Sequence, residues 1–200
     1  MGKGNRLATL LLQFDFNKAF DKISLSRLLA KLKGLGFSEV ALSWFWLYIC
    51  GRSQCVFSRS STSKYRNINL GVPQGSVLGP LLFCLYINDL KKHLDNSIVK
   101  ILYADDLQIY VHVPFHEIER GINLLSEAAK KVAAWARLNC LTVNTMKTKA
   151  IVFGSSHSIR LFKCLKISSI VINNLGEQVQ FVNEVVSLGI VLDSTVSWEP

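Results

Sequence analysis

Residues 7–14 read Leu-Ala-Thr-Leu-Leu-Leu-Gln-Phe, an apolar run interrupted by Thr9 and Gln13. It predicts a buried strand that ends at Asp15. Leu25, Leu28, Leu29, Leu32 and Leu35 then recur at helical spacing, with Arg27, Lys31 and Lys33 facing away. Ser24 is placed to cap this helix, and Gly34 or Gly36 to end it. Ser38 precedes a second predicted helix over 39–50. That helix is apolar on nearly every side, so it is either buried or docked on something else. Strands are predicted over 54–58 and 64–70, around the turn Arg59-Ser60-Ser61-Thr62-Ser63. The loop Gly71-Val72-Pro73-Gln74-Gly75-Ser76 leads into an apolar helix at 77–90.

Strands follow at 98–103 and 107–113. In the second, Leu107, Ile109, Val111 and Val113 share one face, opposite Gln108, Tyr110 and His112. Residues 117–138 give the clearest helix, because Ile118, Ile122, Leu125, Ala129, Val132 and Ala136 step by four and three. Short strands over 149–154, 164–172 and 184–192 complete the chain. Helices mixed with non-adjacent strands predict an α+β fold, with helices on one face of a mostly antiparallel sheet.

Composition narrows this picture. The chain has 200 residues, is 50% hydrophobic and only 18% charged, and can bury a sizeable core, which argues against a disordered tail. Its net charge of +9 suits a polyanion, either nucleic acid or an acidic membrane surface, and equally suits a soluble domain with a basic surface. The early apolar run is too short to cross a bilayer. Lys3 and Arg6 before it mimic a secretory start, but Asp15 follows without a small-residue cleavage pattern. Five cysteines with no C-x-x-C pair point to reduced thiols in an intracellular protein, nuclear or cytoplasmic. His112 and His116 are separated by Pro114, so they lack convincing zinc spacing.

The acidic residues are the informative ones in so basic a chain. Asp15 ends one apolar run, and Asp105-Asp106 follow another, Ile101-Leu102-Tyr103-Ala104. A carboxylate at the end of a buried strand is costly unless it is paired or holds a metal. If the two strands are neighbours, the three carboxylates converge and repel, and hard oxygen donors of this kind suit Mg²⁺. The plainer alternative stays open: Asp-Asp between two strands also makes an ordinary hairpin turn, and Asp15 a strand-end cap.

The motifs in order carry a resemblance. Phe14-Asp15-Phe16-Asn17-Lys18-Ala19-Phe20-Asp21, then Gly71-Val72-Pro73-Gln74-Gly75-Ser76-Val77-Leu78-Gly79-Pro80, then Tyr103-Ala104-Asp105-Asp106 resemble the palm of a reverse transcriptase. The Ala-Phe-Asp ending and the Pro-Gln-Gly-Ser form are similar to the non-LTR, LINE-type retrotransposon branch, in its jockey-like members. Leu141-Thr142-Val143-Asn144 with Lys147-Thr148 resembles that family's next motif. Val186-Ser187-Leu188-Gly189-Ile190 resembles the following one, a strand and turn that grips the primer.

The resemblance implies a polymerase palm with part of the fingers, and an RNA-directed DNA polymerase using two Mg²⁺ ions, or Mn²⁺. It implies that Asp15, Asp105 and Asp106 hold the metals, with the backbone carbonyl of Phe16 as a further ligand. Phe20 falls at the family's steric gate against a 2′-hydroxyl, although a phenylalanine beside Ala19 is also a natural core residue. Gln74 and Gly75 would line the nucleotide and template side; a Pro-Gly turn before a helix explains the same spacing. Lys147 would be the general acid, in competition with Lys149. Arg52, Arg59, Lys64 and Arg66 surround the predicted hairpin and are candidates for phosphate contacts. Asp21 reads as structural, a cap to the next helix.

The implied partners are an RNA template, a DNA primer and deoxynucleoside triphosphates, with no membrane. Residues 1–200 are expected to be one reverse transcriptase domain fragment, a palm with partial fingers and no thumb, whose missing fingers and thumb segments belong to a longer polyprotein. Asn17-Lys18 and Thr145-Met146 depart slightly from the family's forms. Two other readings compete: a palm remnant that binds nucleic acid without catalysis, and an α+β domain with an incidental Asp-Asp turn. The intact carboxylate set favours the polymerase.

Overall fold

A computed structural model of the chain describes residues 7–173 and 176–196. The elements run β1 (Leu7–Phe14), α1 (Leu25–Gly34), α2 (Glu39–Ile49), β2 (Arg52–Gln54), β3 (Phe57–Ser58), β4 (Ser61–Thr62), β5 (Arg66–Ile68) and α3 (Leu78–Ile87). They continue with β6 (Val99–Tyr103), β7 (Asp106–Pro114), α4 (Ile118–Leu138), β8 (Lys149–Phe153), α5 (Ser156–Cys164), β9 (Ser169–Val171), β10 (Gln178–Val182), β11 (Glu184–Ser187) and β12 (Ile190–Asp193). They fall into two compact units, Met1–Asn17 with Leu90–Ala136 and Thr142–Pro200, and Lys18–Asp89 with Arg137–Leu141. The expected basic start at Lys3 and Arg6 lies outside the described residues.

The first unit is built on a six-stranded sheet in the order β6-β7-β1-β8-β10-β9. Its ladders are antiparallel except for the parallel pair β8–β10. Alternation along β1 decides what each face carries. Ala8, Leu10, Leu12 and Phe14 are buried on one face. There α4 comes so close that a Cβ on Gly121 would sit 2.4 Å from the Leu10 side chain and 3.0 Å from Val113. Leu11 points the other way and packs with Ile151 and Val185 beneath the β11–β12 hairpin. The α4 stripe is as the spacing predicts, but Ile122 is only half-buried while Gly121, Ala128 and Trp135 join the core.

The C-terminal part corrects the sequence reading. Of the strand expected over 164–172 only Ser169–Val171 is a strand, and the helix α5 before it, which ends at Cys164, went unpredicted. Ser155 caps that helix by accepting from the Ser158 N–H, and Ile159 and Phe162 supply its buried face. The strand expected over 184–192 is two strands around Leu188-Gly189, both at positive φ. β10 went unpredicted.

In the second unit α1 packs on α2 and α3. Ser38 caps α2 by accepting from the Ala41 N–H. Ser24 stands at the α1 N-cap position without a side-chain cap bond. Of the two expectations for α2, full burial does not hold: only Leu42 and Ile49 are buried, and Trp44, Trp46 and Leu47 are exposed. Two short ribbons, β2–β5 and β3–β4, replace the two longer predicted strands.

Candidate active site

β1 and β7 are antiparallel neighbours, and Phe14 pairs with Leu107. One step further along the same register, Asp15 follows Phe14 and Asp106 precedes Leu107. The two carboxylates therefore leave adjacent strand ends on one face of the sheet, the face opposite Phe14 and Leu107. Asp105 occupies the two-residue turn Ala104-Asp105 that joins β6 to β7, with Ala104 at φ 49°. All three carboxylates are half-buried. Burial, together with the negative charges of Asp105 and Asp15, raises the Asp106 pKa above its ordinary value. The separate runs that ended in aspartate thus meet, as sheet neighbours, in one electronegative place.

Asp15 is held by its backbone. Its N–H donates to the Thr148 hydroxyl at 3.3 Å and its carbonyl accepts from the Asn144 N–H at 2.7 Å. Phe16 forms an isolated antiparallel bridge with Val143. The bonds that flank the pair, Asn17 N–H to Thr142 and Asn144 N–H to Asp15, leave the Phe16 carbonyl outside this ladder. Its ring is buried, so only the carbonyl is available. Thr148 is 1% exposed, and its hydroxyl also donates to the Asn144 carbonyl at 2.8 Å. Sequence reasoning gave this threonine no role; its only signal was its place beside Lys147 in the motif.

A cleft of about 420 Å³ opens over this end of the sheet, lined by Asp15, Asp106, Lys147, Lys149, Glu184 and Val186 among others. The β11–β12 hairpin forms its wall. Gln13 donates to the Val186 carbonyl at 3.0 Å and Gln108 to the Ser187 hydroxyl at 2.7 Å, which ties the hairpin to β1 and β7. The two lysines differ. Lys149 donates from its side chain to the Met146 carbonyl at 3.2 Å, whereas the exposed Lys147 side chain has no hydrogen-bond partner among the described residues. Glu184, a further carboxylate in the lining, was missed from sequence because it follows no apolar run.

Phe20, Gln74 and Gly75 lie in the second unit and are gathered there by their own contacts. The Phe20 ring is half-buried and stacks on the buried Phe83, with centroids 4.5 Å apart. The Phe20 carbonyl accepts from the Val72 N–H at 3.0 Å, and the Gly71 N–H donates to Ile23 at 2.8 Å. These bonds clamp the first motif to the second. Gln74 donates from Nε2 to the Asp21 carboxylate at 2.6 Å. Asp21 is therefore no helix cap; it orients the Gln74 amide, whose Oε1 has no hydrogen-bond partner among the described residues. Gly75, at φ 76°, has open space where a Cβ would stand, so its backbone is accessible. Arg52 is also corrected: it donates to the carbonyls of Ile49, Leu70 and Gly71 and serves as an internal clasp.

Among the described residues, no group of three or more His, Cys, Asp or Glu side chains is arranged to hold a metal ion by itself. No described helix is long and apolar enough to cross a membrane, and all five cysteines are free.

Comparison with known proteins shows the family and the fold. Residues 3–192 match the family model for reverse transcriptase (RNA-dependent DNA polymerase). The chain is 32% identical over 146 residues to a "probable RNA-directed DNA polymerase from transposon X-element" of Drosophila melanogaster, covering 70% of this chain and 15% of that protein. It is 26% identical over 192 residues to the RNA-directed DNA polymerase from mobile element jockey of Drosophila funebris, covering 92% of this chain and 19% of that protein. The chain thus spans under a fifth of the length of these relatives. In fold it is similar to apo telomerase from Candida Tropicalis truncated from its C-terminal domain. The TM-score is 0.62 at 12% identity, over 95% of this chain and 35% of the other.

Proposed function

We propose, from the premise that this chain belongs to the reverse transcriptase family in its non-LTR retrotransposon branch, that its acidic cleft transfers a deoxynucleotide to a primer 3′-hydroxyl on an RNA template. One observation carries the reading: Asp15 and Asp106 leave adjacent ends of β1 and β7, and burial, with the charges of Asp105 and Asp15, raises the Asp106 pKa above its ordinary value. The family is generally dependent on a divalent metal. The donor set suits such a cation, because its oxygens are hard, its repulsion is uncompensated, and the Phe16 carbonyl is turned out of its ladder.

Asp15, Asp105, Asp106 and the Phe16 carbonyl would hold two Mg²⁺ or Mn²⁺ ions. Bound there, such ions acidify the primer hydroxyl and stabilise the leaving oxygen. The chain's own residues do the rest. Lys147, whose ammonium has no partner among the described residues, donates a proton to the departing pyrophosphate. Thr148 and Asn144 fix the Asp15 backbone, so the carboxylate is positioned before substrate arrives. Phe20, backed by Phe83, presents a flat ring against the sugar and leaves no room for a 2′-hydroxyl. Gln74 offers Oε1 to the nucleotide or template, and Gly75 lets a strand approach the backbone. In this reading the sheet-bearing unit is the palm and the other unit part of the fingers.

Primer extension on an RNA template with deoxynucleotides and Mg²⁺ tests the proposal. Asp105→Asn with Asp106→Asn is expected to abolish extension. Undiminished extension by that variant would overturn the catalytic assignment.

A further inference from the structure

From Val40 to Asn88 the sequence holds no Asp or Glu, and its four cations are Arg52, Arg59, Lys64 and Arg66. Arg52 is consumed by the internal clasp described above. The other three lie on or beside the β3–β4 ribbon, all exposed. None of their side chains is hydrogen-bonded or ion-paired to any described residue. Elsewhere some exposed cations find a carboxylate within reach, as Lys33 with Glu39 and Arg120 with Glu117, while others such as Lys18 and Arg160 pair with none among the described residues. Around this ribbon the sequence supplies no carboxylate to pair with.

Large apolar side chains stand among these cations. Phe57 is 74% exposed and Tyr65 is 72% exposed. Aromatics at such exposure bring little folding free energy, since little of their surface is covered. The ribbon is also bent. Gln54 pairs with Arg66, and the Ser63 N–H donates to the Val56 carbonyl, so Cys55 stands against two residues, Lys64 and Tyr65. A bulge of this kind twists a ribbon and re-aims its side chains. At the tip, Arg59 sits at φ 38° in the two-residue turn between β3 and β4, where a glycine or asparagine is the easy choice.

We propose that this ribbon is a docking surface for single-stranded nucleic acid, in which Phe57 and Tyr65 stack on unpaired bases while Arg59, Lys64 and Arg66 follow the phosphates. The inference rests on the reading that the chain works on nucleic acid, and adds to it a contact made outside the acidic cleft. Interleaved aromatics and unpaired cations are what sequence-tolerant single-strand binding requires. Charge selects the occupant, because a surface with three unpaired cations and no carboxylate suits a polyanion better than a second copy of a chain that is itself at +9. Stacking selects single strands, because duplex bases offer no free face to an exposed ring.

The test is fluorescence anisotropy of the full chain with a short labelled oligouridylate, the matching oligodeoxythymidylate and a duplex of mixed sequence. The aromatic and cationic side chains lie on an exposed ribbon, so their variants are expected to leave the urea midpoint unchanged. Phe57→Ala with Tyr65→Ala is expected to weaken both single strands about tenfold or more and the duplex little. Arg59→Gln, Lys64→Gln and Arg66→Gln together are expected to lower the salt slope of binding by about 2. Photocrosslinking of a 5-iodouridine oligonucleotide is expected to label Phe57 or Tyr65. Preference for RNA over DNA would identify the template as the occupant, and equal binding the displaced or primer strand. Wild-type affinity in the aromatic variant, equal loss on duplex, crosslinks confined to residues outside 52–68, or a dimer that these substitutions dissociate would each overturn the proposal. The polymerase reading falls separately, by extension that persists without Asp105 and Asp106.

Discussion

Gly71 and Gly75 share a backbone conformation, φ 76°, but not an environment. A Cβ on Gly71 would lie 2.8 Å from the Asp21 Cα, 2.8 Å from the Phe20 carbonyl oxygen and 2.9 Å from the Asp21 oxygen. All three are backbone atoms that cannot swing aside. A Cβ on Gly75 would meet nothing within 4 Å. Alanine at either site incurs the left-handed penalty, about 1–2 kcal/mol. At Gly71 the overlap adds roughly another 1–3 kcal/mol, by analogy with overpacked cores. The sum at Gly71 is about 3 kcal/mol, against about 1 kcal/mol at Gly75. With a urea slope of about 2 kcal/mol per molar, the midpoint should fall by about 1.5 M for Gly71→Ala and about 0.5 M for Gly75→Ala. Equilibrium urea unfolding followed by circular dichroism gives both numbers. Equal shifts for the two variants would show that conformation alone matters and that the close approach to Phe20 and Asp21 does not. In extension assays the order should reverse at permissive temperature, with Gly75→Ala, whose new methyl faces outward, raising the nucleotide KM.

Three further outcomes follow from the same geometry. Asp106→Asn should raise the urea midpoint of the metal-free chain near pH 7, because Asp106 is a carboxylate whose folded pKa lies above its unfolded one; its charge opposes folding above that pKa, so the gain should shrink as pH falls and the wild-type group protonates. Tyr86 is fully buried, donates to the Asn139 carbonyl at 2.6 Å, and has its pKa pushed up to about 12, chiefly by burial; wild-type stability should decline from about pH 10 towards 12 as unfolding releases the proton, while Tyr86→Phe should be less stable by about 1 kcal/mol at neutral pH and lose that alkaline decline. Thr148→Val removes the hydroxyl that joins Asp15 to Asn144, and should lower both stability, by about 1–2 kcal/mol, and kcat, whereas Thr148→Ser should restore kcat.

Much of this protein is written in its one-dimensional pattern. The apolar run of β1, the stripe of α4 and the alternation of β7 each state their own element and inward face, because periods of two and of 3.6 residues report burial directly. The motif order likewise marks Asp15, Asp105 and Asp106. Where pattern was weak, the reading failed. β9 is three residues long, shorter than the strand expected over 164–172. α5 was hidden by serine, histidine and arginine on its outer side, and declared itself only through the Ser155 cap and the buried pair Ile159 and Phe162.

What no pattern contains is who stands beside whom. That Asp15 faces Asp106 follows from the β1–β7 register, which sets residues about ninety positions apart side by side. That Asp21 orients Gln74, that Thr148 holds the backbone of Asp15, and that Arg52 is spent inside while Arg59, Lys64 and Arg66 are not, are likewise facts of pairing. Composition and periodicity fix which residues leave water; hydrogen-bond partnership across long loops depends on distances that exist only once the chain has closed on itself.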